Sequence, residues 1–240
     1  MILLGCIVNV AAILVGSLLG ILFKKAMNEK LNDFLMKGLG LCILFIAIKG
    51  SLDGKNSLVL IVSMVIGGII GHLIDLDAKL NKLGDDLQNK LTKGGEGSKF
   101  SEGFASATLL YCVGAMAIVG SLQSGLSGNH ETLFTKALLD GISSIVLSSQ
   151  FGIGVALSVV PLFIYQGIIT LCAGWLSPVL SDLVISEMTC IGYVIIIAIA
   201  LNMMKISKFK VMNYVPGIFV SCILVVIIEK IPVIYNFLYA

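Results

Sequence analysis

With 240 residues, 58% of them hydrophobic and 12% charged, and a mean hydropathy of +1.04, the chain carries far more apolar surface than a soluble domain of this size can bury. A net charge of +2, with lysine supplying all sixteen basic residues, excludes a bidentate phosphate-reading surface for nucleic acid. These values predict an all-α fold: a polytopic transmembrane helix bundle forming one integral membrane domain over residues 1–240, with the lipid bilayer as its surroundings.

The first apolar run, residues 2–23, is followed by Lys24 and Lys25 instead of being preceded by a positive leader, so a retained span is expected and not a cleaved signal. It carries Asn9 and the four-spaced pair Gly16 and Gly20. Spans near 34–52 and 57–76 come next, the latter holding Gly67 and Gly71. These small-residue pairs allow helices to approach closely, within the bundle or in a homo-oligomer. At the end of the third span His72 and Asp75 share a face, but their interfacial depth argues against a proton relay.

Between spans three and four, Leu76, Leu80, Leu83, Leu87 and Leu91 recur at helical spacing with charges between them. Residues 77–98 are therefore expected to form a cytoplasmic amphipathic helix on the inner leaflet, ending in a glycine-rich linker; a partner-binding helix is the rival reading. The fourth span, 104–123, runs into a stretch from 114 to 128 rich in glycine and serine, including Gly120, Ser121 and Gln123. A broken helix there would offer backbone groups to an ion or a carboxylate, whereas an ordinary surface loop would offer nothing.

The fifth span, 138–159, places Asp140, Ser144, Ser148 and Gly152 on one ridge by their spacing of four, with Gln150 beside it. That ridge reads as a path for a cation, proton or small solute, against the plainer reading of interhelical hydrogen bonding. Pro161, between spans five and six (161–177), is either a turn or a kink. Gln166 in the sixth span, Asn202 in the seventh (187–204) and Asn213 in the eighth (212–231) complete a set of amides suited to an uncharged polar solute. Each amide alone serves equally well as structural glue.

Twelve of the sixteen lysines fall in the first, third and seventh connections, and only Lys49, Lys55, Lys136 and Lys230 lie on the other face. The positive-inside rule then selects eight spans with both termini outside. Residues 40–47 and 192–199 look alike, and an offset of five spans between them would make spans 1–3 and 6–8 an inverted repeat, a transporter signature; apolar segments also resemble one another by chance. The six cysteines lie in apolar stretches without paired spacing, and His72 and His130 stand apart, so no metal is expected. With no Walker loop, HExxH or nucleophile motif, neither enzymatic activity nor a cofactor is expected.

The segments Glu102-Gly103-Phe104, Tyr111-Cys112-Val113-Gly114 with 116–121, Lys136 to Gly141, Tyr165-Gln166-Gly167 with Thr170-Leu171, and Asn213 to Pro216 together resemble the YdfK/YqgA-like family (DUF554) of multi-pass bacterial membrane proteins, nearly end to end. The resemblance implies a bacterial inner-membrane location and no established activity. Ala115 departs from it where the family pattern has proline, which puts the expected helix break in doubt. Two function classes follow: a secondary transporter or channel for a small solute or ion, and a non-transporting membrane scaffold or regulator acting through residues 77–98. They differ in whether Asp140, Gln150 and Gln166 share a hydrated interior.

Overall fold

The computed structural model describes residues 1–24, 29–79, 82, 97–113 and 115–239, among which there is no strand. The expected amphipathic helix of residues 77–98 lies mostly outside these residues, as does Gly114. The helices, in chain order, are α1 (Leu4–Lys24), α2 (Glu29–Ser51), α3 (Ser57–Ile74), α4 (Gly97–Cys112), α5 (Ala115–Ser127) and α6 (Glu131–Phe151). They continue as α7 (Ile153–Leu157), α8 (Val159–Leu171), α9 (Ala173–Leu176), α10 (Asp182–Met203), α11 (Pro216–Glu229) and α12 (Pro232–Tyr239), with a 3-10 turn at Val211–Tyr214 before α11.

Among the described residues, five segments are long and apolar enough to cross a bilayer: Leu4–Phe23, Ser57–Ile74, Ile153–Leu171, Asp182–Met203 and Val211–Glu229. A sixth results if Phe100–Cys112 and Met116–Ser127, bent by 57° at their junction, count as one span. Gly40–Ser51 is apolar but shorter. The 21-residue α6, about 31 Å long at 1.5 Å per residue, is too polar to belong to this set. It holds its polar ridge away from lipid by packing inside the protein.

Local chemistry sets the ends of these helices. Asn56, in extended backbone, accepts the Leu58 and Val59 amides at 2.8 and 3.4 Å and so starts α3; Ser181 does the same for Val184 at 3.2 Å and starts α10. Two boundaries differ from the sequence reading. The helix of the fifth span, α6, begins at Glu131 instead of residue 138, and it stops at Gly152, whose φ of 72° is open to a residue without Cβ. Pro161 is therefore neither the turn nor a kink between spans. It is the third residue of α8, a first-turn position where a missing N–H costs little. The second difference concerns the glycine- and serine-rich stretch. Residues 115–127 form a continuous helix, and the bend from α4 falls just before it. Gly120 and Gly125 lie inside α5 because neighbouring side chains and backbone come too close there for a Cβ: Leu133 and Thr132 against Gly120, the Thr170 carbonyl against Gly125.

The chain divides into two compact units. The first comprises Met1–Leu39, Ala78–Cys112 and Met116–Gly174. Its centre is the pairing of α1 with α6, which run parallel: Gly5 lies against Leu133, Gly16 against Gly141 and Ser144, and Gly20 against Ile145 and Ser148. A Cβ at Gly16 would strike the Gly141 carbonyl, so this close approach depends on the glycine. The helix α8 returns antiparallel to α1, with Gln166 beside Asn9 and Thr170 beside Cys6.

The second unit comprises Gly40–Asp77, Val113–Ala115 and Trp175–Ala240. Here the end of α2 runs antiparallel to α10, with Gly50 on Tyr193 and Gly54 on Cys190. In α3, Val59, Ser63, Gly67 and Gly71 form the buried stripe, and it meets α11 antiparallel around Gly217 and a core of Val59, Val184, Met188, Val225 and Ile228. The remaining flanks of α3 leave Ile61, Val65, Ile69 and Leu73 exposed as an apolar surface. Gly67→Leu should cost about 1–3 kcal/mol of stability, because its side chain would drive into the Gly217 backbone. Gly38→Leu, with nothing within 4 Å of an added Cβ, should cost almost nothing, and unfolding titrations of both variants in detergent compare them directly.

Candidate functional site

Within the first unit, three helices direct polar side chains to one buried point. Asp140 is the tenth residue of α6 and so lies near its middle; Lys136, one turn earlier on the same face, donates from Nζ to its Oδ2 at 2.6 Å. Both side chains are almost fully buried, at 6% and 9% exposure for lysine and aspartate respectively. From α1, Asn9 Nδ2 donates to the same Asp140 Oδ2 at 3.1 Å and to Gln166 Oε1 of α8 at 3.4 Å. Asn9 and Gln166 have no exposed surface.

These bonds leave specific valences unused. Asn9 Oδ1 and Gln166 Nε2 find no hydrogen-bond partner among the described residues, and the same holds for the hydroxyl of Tyr111, fully buried on α4. A buried polar atom without a partner costs about 1–3 kcal/mol. The cluster thus presents an acceptor and an amide donor beside a charge pair that is already neutralised internally. A polar guest or a water chain would recover that cost.

The ridge continues below the cluster. Ser144 donates to the Gly141 carbonyl at 2.7 Å and packs on Gly16; Ser148 packs near Gly20, and its hydroxyl and that of Ser17 on α1 have no partner among the described residues. Gln150 lies about 15 Å along α6 from Asp140 and reaches only Ser149 Oγ, at 3.5 Å, so no bond joins it to the cluster.

The other residues singled out in the sequence sit elsewhere. Gln123 Oε1 accepts from Thr132 at 2.8 Å, tying α5 to the start of α6; Ser121 is buried on the same helix, and Gly120 is a packing position. In the second unit Asn202 staples the turn after α10. Its Oδ1 accepts from the Phe209 amide and the Ser207 hydroxyl at 2.9 and 2.8 Å, while Nδ2 donates to the Phe209 carbonyl at 2.9 Å. Asn213 Oδ1 accepts the Asp77 amide at 2.9 Å. These two amides close loops, and neither meets the Asn9 cluster.

Two features escaped the sequence reading. Lys136 was counted with the loop lysines, although its spacing of four from Asp140 marks the pair once the helix is known to start at Glu131. Glu187, in the second unit, is fully buried on α10: Oε1 accepts the Lys55 amide at 3.0 Å and the Tyr239 hydroxyl at 3.2 Å, and Oε2 has no partner among the described residues. Burial, then the Glu187 and Glu229 carboxylates, push the Tyr239 phenol well above its ordinary range, so it remains a donor to Glu187. Nothing in the spacing around Glu187 signals this contact, which needs the chain to bring α12 back to α10. Among the described residues no three histidine, cysteine or acidic side chains gather as a metal site would require.

A family model described as "Protein of unknown function (DUF554)" matches residues 4–226. The "Uncharacterized membrane protein YdfK" of Bacillus subtilis (strain 168) is 34% identical over 229 residues, covering 94% of this chain and 96% of the relative. The "Uncharacterized protein YqgA" of Escherichia coli (strain K12) is 23% identical over 221 residues, covering 91% and 94%. No solved structure matches.

Proposed function

This chain belongs to the DUF554 family and is a membrane protein, and we propose that it acts without catalysis as a secondary transporter or channel for a small polar solute or ion. The observation that carries the proposal is the convergence of Asn9, Lys136, Asp140 and Gln166 from three helices in an apolar unit, with unpaired polar atoms left over. A bundle held together only by packing gains nothing from a buried ion pair that apolar residues could replace. Because Lys136 already neutralises Asp140, a bare cation is a poorer guest than a solute or proton that exchanges with the internal pair. The scaffold alternative rests on residues 77–98, and no contact of the described residues favours it.

The proposal includes eight spans with both termini outside and residues from the first, fifth and sixth spans at the site. Helix directions support this count: α1 and α6 run parallel, α8 runs back, and α2 with α10 and α3 with α11 are antiparallel, as alternating spans in that order require. The inverted repeat of spans 1–3 and 6–8 remains part of the same reading, supported by the sequence likeness of residues 40–47 and 192–199.

The test reconstitutes the full chain in liposomes and measures flux of protons, alkali cations, chloride, amino acids and carboxylates. One class should give a saturable flux that falls at least tenfold in the double variant Lys136→Met with Asp140→Asn, which removes both charges together. Folded protein without flux of any class, or a double variant as active as the parent, overturns the proposal.

A further inference from the structure

The second unit contains a separate feature with no part in that reading. Where the end of α3 meets the segment after α10 there is an open pocket of about 660 Å³. One wall is the exposed apolar flank of α3, where Val65, Ile69 and Leu73 recur every four residues and are 56%, 55% and 79% exposed. The opposite end is polar and basic, lined by His72, Lys208, Lys210 and Tyr214. Lys210 reaches Asp75 at 3.5 Å, a contact between side chains 60% and 47% exposed and hence weak. His72, Lys208 and the Tyr214 hydroxyl have no partner among the described residues. Two lysines and a histidine therefore line this end, with a hydroxyl donor among them.

The two ends of this pocket ask for different chemistry in one molecule. A free inorganic phosphate would satisfy the lysines and leave the four-spaced apolar wall uncovered. A zwitterionic lipid would cover the wall but bring its own ammonium to the basic end. We propose that the pocket binds an anionic phospholipid, with the phosphate held by Lys208, Lys210 and the Tyr214 hydroxyl and one acyl chain laid along Val65, Ile69 and Leu73. Basic pockets at the ends of membrane helices take anionic head groups by the same charge complementarity. The lysines that line the pocket belong to the cluster Lys205, Lys208 and Lys210, so the pocket sits at the end of the helices where positive charge concentrates.

The experiment uses full-length protein purified in detergent and native mass spectrometry with phosphatidylglycerol and phosphatidylcholine of identical acyl chains. Phosphatidylglycerol should be retained at least tenfold more strongly. Lys208→Gln and Lys210→Gln should each weaken its retention about fivefold, as expected for a lysine at an anionic head group. Ile69→Ser with Leu73→Ser should weaken it as well, through the acyl chain. All these positions are exposed, so the variants should keep the parent's unfolding midpoint. Equal retention of the two lipids overturns the proposal. So does millimolar inorganic phosphate that displaces the lipid from the parent and binds the Ile69→Ser, Leu73→Ser variant unchanged, because the site would then belong to free phosphate.

Discussion

Lys136→Met is expected to destabilise the protein by about 3–5 kcal/mol, the cost of leaving a buried carboxylate without its counter-charge. The same substitution at Lys37 provides the comparison. Lys37 pairs with Asp33 at the same spacing of four and a similar distance, 2.9 Å, but the two side chains are 54% and 38% exposed. Water solvates either charge there when the other is lost, and an exposed pair contributes only about 0–1 kcal/mol. Asp140 has no such recourse, since Asn9 supplies one amide and the neighbouring α1 face is packed. Asp140→Asn alone should also be costly, for it leaves the Lys136 ammonium buried without an acceptor other than an amide. Removing both charges, with Lys136→Met and Asp140→Asn combined, should restore most of the stability. Unfolding titrations in detergent of the parent, the two single variants and the double variant form a double-mutant cycle with a large favourable coupling. A cycle in which Lys136→Met costs no more than Lys37→Met would show that the pair is solvated.

That cycle also bears on why the pair exists. A charge pair whose joint removal leaves stability intact is not retained for stability. In a helix that could have been apolar throughout, the pair then has its use in what the cluster binds.

Much of this arrangement was legible in the sequence, and the reasons are physical. Apolar runs of about 20 residues mark spans because lipid forbids unpaired backbone, so the helical class and approximate positions follow from hydropathy alone. Asn9, Asp140 and Gln166 were found because polar side chains within such runs are expensive and therefore few. That they meet at one point was not legible: residues 131 and 157 apart in sequence share a hydrogen-bond network only after α1, α6 and α8 have packed. Lys136 was misplaced because hydropathy cannot locate the start of a polar helix. The charged first turns of α6 look like a loop until Gly16 and Gly20 are seen to pack against the same helix further along. Pro161 drew attention as a breaker, yet the chain reverses at Gly152, where the backbone needs a positive φ that no local apolar pattern announces. Asn202 and Asn213 carried the same polar signal as Asn9. Their partners are backbone groups of nearby turns, a distinction that residue type does not contain.

The central claim is that the Asn9, Lys136, Asp140 and Gln166 cluster becomes accessible to water during function, and cysteine labelling of Gln166→Cys tests this without knowing the solute. The six native cysteines are first replaced by alanine, and the protein is reconstituted in liposomes with Ser127→Cys at an exposed position and Leu171→Cys at an apolar, exposed one as references. A membrane-impermeant charged thiol reagent reacts with thiolates in water and not with thiols in lipid or a dry core. Gln166 is fully buried in the described conformation, so its reaction requires the unit to open. Asn9→Cys, on the facing helix, repeats the test should Gln166→Cys fold poorly. The account predicts labelling at both cluster positions, slower than at Ser127→Cys and well above Leu171→Cys. Cluster cysteines that stay unlabelled for as long as Leu171→Cys, while Ser127→Cys reacts fully, would contradict it.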